Sequence, residues 1–298
     1  RRATWTCAMS ASAVVLHDAQ MTYPGTKKAS LHVEEVCLPR GARCLLLGAN
    51  GAGKSSLLRV AAGLTMQPLG AVTVLGKDAF RDVELTSTGK LVYLGEGWAK
   101  GVAGAHGDVK AGEMIEAAVQ AVGTQVAQDR SQALMDMLQV DPTWRMSTCS
   151  DGQRRRVQIC LALVKPYEVL LMDEITVDLD VVARKDLLRY FRRESEERGA
   201  TMIYATHIFD GLETWPTHIA HCADGKVHRF AKIEEFEELK QGRKLLYVVQ
   251  DWLREDQRKV KASKMQVDAE TREKERLERA KEMRRQPHMP MRHLAFFR

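Results

Sequence analysis

Gly48-Ala49-Asn50-Gly51-Ala52-Gly53-Lys54-Ser55 has the pattern G-x-x-x-x-G-K-[ST], and its flanks decide how it folds. Upstream, Arg43-Cys44-Leu45-Leu46-Leu47 is a short apolar run with the length of a buried strand. Downstream, Leu57, Leu58, Ala61 and Ala62 fall on one helical face, and Gly63 supplies a stop. The unit is therefore strand, glycine loop, helix. Glycines let backbone N–H groups turn inward around a β-phosphate, and the helix N-terminus adds partial positive charge. Lys54 then reaches the β/γ oxygens, and the Ser55 hydroxyl can hold Mg²⁺.

A second element completes such a site. Val169-Leu170-Leu171-Met172-Asp173-Glu174 is an apolar strand ending in two adjacent acids. Asp173 is placed to hold Mg²⁺, directly or through water, and Glu174 to polarise an attacking water. Kinases, GTPases, helicases and transport ATPases share these two elements, so a third has to decide among them. Ser150-Asp151-Gly152-Gln153-Arg154-Arg155-Arg156 precedes an apolar-periodic helix (Val157, Cys160, Leu161, Val164), and Ser150 and Gln153 have the spacing of a capping box. This segment resembles the LSGGQ signature of ABC-type ATPases.

That resemblance implies further assignments. Tyr23, 25 residues before Gly48, looks like the aromatic that stacks on adenine. Leu179-Asp180 matches the end of the D-loop, and His207, 33 residues past Glu174, matches the switch histidine at the γ-phosphate. The implied ATP contacts are Tyr23, Gly48, Asn50, Gly51, Gly53, Lys54, Ser55 and Ser56. The implied catalytic set is Glu174, His207 and Lys54, with Mg²⁺ on Ser55 and Asp173. Ser150, Gly152 and Gln153 would act in trans, so that hydrolysis needs an ATP-driven homodimer or a partner ABC subunit.

The chain departs from the family pattern at Cys149, Asp151 and Ile175, and at 93–98, where Tyr-Leu-Gly-Glu-Gly-Trp lacks the usual glutamine of the Q-loop. Glu96 is the candidate stand-in. In transporters that glutamine couples the ATPase to a membrane subunit, so standard transport coupling is not expected here. The segments at 92–98, 150–158, 173–180 and 205–218 resemble the soluble single-domain ABC ATPases that include a fungal CCR-NOT-associated factor and the plant subfamily I non-intrinsic proteins. The resemblance implies a regulatory ATPase acting on a soluble protein complex. The alternative is a transporter's ATP-binding subunit whose membrane partner is a separate chain. A chromosome or DNA-repair ATPase would carry a long coiled-coil insertion between Lys54 and Ser150, where only 95 residues lie.

The expected fold class is an α/β P-loop NTPase of ABC type: a RecA-like core, an antiparallel β subdomain, a helical signature subdomain at about 101–165, and a charged C-terminal helix. Alternating apolar residues at 13–23 and 29–38 read as a hairpin around Pro24-Gly25. Beyond Asp173 the chain reads as a helix over about 181–198, a strand at 201–205 and a hairpin at Asp224-Gly225. The ATP-binding domain is expected to span 13–250, after an unstructured segment at 1–12.

The 298 residues carry 45 Lys+Arg and 39 Asp+Glu, a net charge of +6, with 45% hydrophobic and 28% charged residues, which excludes disorder and collagen-like structure. Residues 251–298 hold 14 basic and 9 acidic side chains, leaving 31 and 30 for the rest, so +5 of the +6 belongs to the tail. Any nucleic-acid or membrane contact is expected from the tail alone. Its apolar residues recur once per seven (Leu253, Val260, Val267), too sparse for a coiled coil, and Glu270/Lys274 and Glu275/Arg279 support a solvated helix that Pro287 and Pro290 end. No stretch approaches the roughly 18 apolar residues of a membrane-spanning helix. Six scattered cysteines without a C-x-x-C pair suit a reducing compartment, cytoplasmic or nuclear.

Overall fold

The computed structural model describes residues 12–23, 25, 29–95, 108–209 and 211–285. Glu96, the segment before Ser12 and the tail beyond Arg285 lie outside them. Strands β1 (Ser12–Met21) and β2 (Leu31–Pro39) pair antiparallel, with Leu16 opposite Val36 and Ala19 opposite Val33. Leu31, Val33, Val36 and Leu38 are buried and Glu34 and Glu35 exposed; the buried positions change phase between Val33 and Val36, so both faces of the strand contribute to the core. The strand begins at Ser12 and ends at Met21, so Tyr23 is in the turn rather than the strand.

β3 (Arg43–Leu47) is buried throughout, as a strand covered on both faces must be. It leads through the glycine loop into α1 (Lys54–Ala61), which lies against β1, β4 (Val72–Val74), β7 (Val169–Asp173) and β8 (Thr201–Ala205). Leu57 and Leu58 enter the core, each worth roughly 1.5–3 kcal/mol over an exposed position. Gly63, at φ 69°, ends the helix as expected. β5 (Lys77–Asp78), α2 (Glu84–Ser87) and β6 (Leu91–Leu94) follow; β4, β5 and β6 are too short to show a sequence period.

The helical part comprises α3 (Ala111–Val122), α4 (Gln125–Leu138) and α5 (Asp151–Leu163). Residues 139–150, inside the span expected to be helical, are not helix; Lys110 bridges Arg145 there. α6 (Val181–Arg198) is secured to this part by Arg130 of α4, whose Nη1 donates to both Glu194 oxygens at 2.9 and 2.8 Å. Its Nε and Nη2 donate to the Leu163 carbonyl, at the end of α5, at 3.2 and 3.1 Å, and the guanidinium lies over the Tyr167 and Tyr190 rings.

Among the described residues the strands form one ten-stranded sheet, ordered β5-β4-β1-β2-β10-β9-β3-β8-β7-β6, with β9 (His218–Ala223) and β10 (Lys226–Lys232) the expected hairpin at Asp224-Gly225. From β9 to β6 every neighbouring pair is parallel; β1, β2, β4 and β5 form the antiparallel part. The expected α/β class holds.

By contact density the chain divides into Arg1–Val249 and Gln250–Arg298. After the short α7 (Glu237–Lys240), α8 runs over Leu245–Arg285, starting six residues before the charged stretch at 251 where the tail was expected to begin. Leu245, Val248 and Val249 are buried at helical spacing, so an apolar stripe starts the helix ahead of the charges. No helix among the described residues is long and apolar enough to cross a membrane.

Candidate functional site

Three parallel strands bring the expected residues to one edge. Leu46 of β3 sits beside Ala205 of β8, and Ala205 beside Asp173 of β7. The glycine loop after β3, Thr206-His207 after β8 and Glu174 after β7 therefore leave the sheet side by side, at the strand ends where open α/β sheets bind ligands.

Each part of the loop has a steric or electrostatic reason. Gly48 passes the Cys222 carbonyl so closely that a Cβ there would lie 2.3 Å from its oxygen. A Cβ on Gly51, by contrast, would meet nothing within 4 Å, so the loop opens outward there. α1 starts at Lys54 with no side-chain cap and no acid in its first turn, which leaves its end N–H groups and dipole facing the loop. Lys54 is only 8% exposed, and its Nζ donates to the carbonyls of Gly48 and Ala49 at 2.8 and 3.1 Å. Asn50 and Ser55 are exposed. Ser56, expected among the ATP contacts, is buried, and its hydroxyl lies 2.9 Å from that of Tyr23. Tyr23 is thus held by its hydroxyl beside the start of α1, with its ring 43% exposed.

Across the edge, Glu174 and His207 are in contact: Nδ1 of His207 lies 2.9 Å from Oε1, and the His207 backbone N–H donates to Oε2 at 3.4 Å. Asp173 ends β7, partly buried. Glu174 itself has φ 50°, in the left-handed region, with its N–H on the Ala205 carbonyl at 3.0 Å.

The signature-like segment forms the N-terminus of α5. Its capping box is complete: Ser150 N–H donates to Gln153 Oε1 at 2.9 Å and Gln153 N–H to Ser150 Oγ at 3.2 Å. Gly152 lies so near the 173–180 loop that a Cβ would be 3.2 Å from the Asp178 carbonyl. Asp180 caps α6, accepting from the N–H groups of Val182 and Ala183 at 3.0 and 2.9 Å, and pairs with Arg156. The Ala183 N–H first, and then the Arg156 charge, hold its carboxyl below the usual range against the opposing effect of burial.

Sequence reading missed what the three arginines do. Arg154 reaches the carbonyls of Met146 and Cys149, Arg155 that of Ile175, and Arg156 that of Leu138 as well as Asp180. Three successive helical positions point 100° apart, so a run of three can grip three neighbours at once. That was the available signal. Glu96 is outside the described residues, so its part in the site has no structural account.

This donor set suits a nucleoside triphosphate: an uncapped helix N-terminus and a buried ammonium for phosphate, with an exposed hydroxyl and a carboxylate for a hard cation. Residues 31–177 match the family model described as ABC transporter. The chain is 49% identical to ABC transporter I family member 21 of Arabidopsis thaliana, over 76% of this chain and 81% of that protein. It is 37% identical to CCR4-associated factor 16 of Saccharomyces cerevisiae, over 70% of this chain and 75% of that one. Among solved structures it resembles a dimeric ATP-binding cassette in a post-hydrolysis state with ADP and Pi (TM-score 0.61, 22% identity, 75% and 100% covered).

Proposed function

The chain belongs to the family of ABC-type ATPases, and from that premise we propose that it hydrolyses ATP at composite sites in a dimer to regulate a soluble protein partner. The observation that carries this reading is the edge where the uncapped start of α1 and Lys54 lie beside the Glu174–His207 pair. Gly48, Asn50, Gly51 and Gly53 shape the phosphate loop, Lys54 meets the β/γ oxygens, and the Tyr23 ring stacks on the base. Ser55 and Asp173 would hold Mg²⁺, which would supply neutralisation of charge on the phosphates. Glu174 takes a proton from the attacking water, and His207 orients Glu174 and touches the γ-phosphate.

Ser150 and the Gly152 N–H of a second copy close the site, with Gln153 keeping the helix end in shape. Exposed Val177, Val181 and Val182 beside Asp180 provide apolar area for such an interface. Leu179-Asp180 is read as the end of the D-loop, with Asp180 capping α6 and paired with Arg156. The similarity to CCR4-associated factor 16, a protein named for its association with CCR4, supports a protein complex as the partner.

The test is Glu174→Gln. It is expected to trap a stable dimer with ATP and to lower hydrolysis by about 10²-fold or more, as loss of a general base does. Full activity in that variant would refute the assignment. Affinity purification of the trapped protein with ATP should recover soluble factors; recovery of a multi-span permease would favour the transporter-subunit alternative.

A further inference from the structure

The turn between β7 and α6 holds an acid in a backbone conformation that residues other than glycine, asparagine and aspartate rarely adopt: Glu174 at φ 50°. Such conformations persist where their surroundings over-determine them. Here the grip falls on three consecutive residues. The Glu174 N–H is on the Ala205 carbonyl at 3.0 Å. Ile175 is fully buried, and its carbonyl accepts from Arg155 Nε at 3.1 Å. Thr176, 1% exposed, has its Oγ1 2.7 Å from the Tyr204 hydroxyl.

Tyr204 is well placed to bear on this turn. It lies in β8 immediately before Ala205, three residues from His207, and is itself 1% exposed. Trp215 meets its ring edge-on, with centroids 6.0 Å apart and planes at 78°. Trp215 is anchored in turn, its Nε1 donating to the Leu188 carbonyl at 3.1 Å and its own carbonyl accepting from Arg43 Nε at 2.6 Å. Phenylalanine at 204 would serve the ring packing equally well. The buried hydroxyl adds its bonds to Thr176 in the turn and to Thr206 beside His207, and a buried hydroxyl is costly unless bonded. Burial pushes its pKa up, so it remains protonated across the working range.

We propose that Tyr204 and Arg155 are positioning residues for hydrolysis: by holding Thr176 and the Ile175 carbonyl they keep the Glu174 carboxylate against His207. The proposal rests on the reading of Glu174 as general base. Because Arg155 belongs to α5, the same grip ties the orientation of the signature helix to the base of its own subunit.

The experiment measures kcat, KM for ATP and thermal midpoint for the full chain carrying Tyr204→Phe, Thr176→Val, both together, or Thr176→Ser. Displacing a catalytic group by a fraction of an ångström is expected to cost kcat about ten-fold in Tyr204→Phe and in Thr176→Val, with KM and midpoint little changed. The double variant should fall no further than Tyr204→Phe alone, because that change already removes the bond to Thr176. Thr176→Ser should keep wild-type kcat. Added to Glu174→Gln, Tyr204→Phe should lower the residual rate no further. Wild-type kcat in Tyr204→Phe, loss of kcat matched by loss of nucleotide affinity, or an additive loss on Glu174→Gln would each overturn the proposal. If Glu174→Gln itself hydrolyses at the wild-type rate, the general-base reading fails and takes this inference with it. If Glu174→Gln is inactive while Tyr204→Phe is normal, the inference alone fails.

Discussion

Two helix N-termini in this molecule are read as phosphate sites, and they are built in opposite ways. α1 begins without a side-chain cap or an acid in its first turn, whereas α5 begins with a complete Ser150–Gln153 capping box and Asp151 beside it. The open end of α1 leaves N–H groups that water or a ligand must satisfy, so it is organised for an anion before one arrives. At the end of α5 the Ser150 and Gln153 N–H groups are met by its own side chains while the Gly152 N–H stands outside the capping box, and the helix is tied down by Arg154, Arg155 and Arg156. On the proposed reading the first is the primary binding element and the second a rigid surface that would close on a site formed elsewhere.

This contrast can be broken at several points. The largest effect is expected at the far end of α5, where Arg130 holds the Leu163 carbonyl and pairs with Glu194. Arg130→Met strands a buried carboxylate and should cost about 3 kcal/mol or more of stability in denaturant unfolding, with the Arg198–Glu194 pair limiting the loss. Arg130→Met combined with Glu194→Met should recover much of it; if the double variant is as unstable as the single, the cost is not a stranded charge. Next, Lys54→Met should lower ATP hydrolysis by about 10²–10³-fold, the scale for removing one donor from a preorganised anion site. A ten-fold effect or less would mean that the backbone of α1 suffices.

Ser150→Ala should cost about 1 kcal/mol of stability through the lost cap and reduce hydrolysis only where dimers form, leaving ATP binding by the monomer intact. Weakened monomer binding would place the residue on its own subunit's nucleotide. The smallest effect is that of pH on Asp180. Its folded pKa is depressed, so its stabilising contribution is present above the unfolded value and is lost as pH falls through the folded one. Acid titration below about pH 4 should therefore loosen the start of α6 only slightly, because water screens this half-exposed carboxylate, and Asp180→Asn, which still caps, should remove that dependence.

The elements that carry the chemistry were readable because each has a local cause. Leu45 to Leu47 and Val169 to Met172 are apolar on both faces, Gly48 to Ser55 is a fixed pattern, and the Ser150–Gln153 spacing is a capping box whatever else it does. What escaped notice depends on distant partners. Arg130 reads as a polar residue on a helix until Glu194, Tyr167 and Tyr190 surround it, and Tyr204 reads as a strand aromatic until Thr176 meets its hydroxyl. The onset of α8 was misplaced for another reason: Leu245 to Val249 is a continuous apolar run in sequence, and only burial reveals its helical stripe.

The two carbonyls on which Lys54 rests carry a thermodynamic consequence. The ammonium has acceptors within its own loop, so on the proposed reading a phosphate would enter by exchange rather than addition. Its gain is the difference between phosphate oxygens and peptide carbonyls as partners, which favours the charged acceptor by roughly two-fold in bond strength and penalises neutral analogues. A loop acting in the proposed way would therefore disfavour uncharged mimics of a triphosphate tail, whose place the carbonyls already fill.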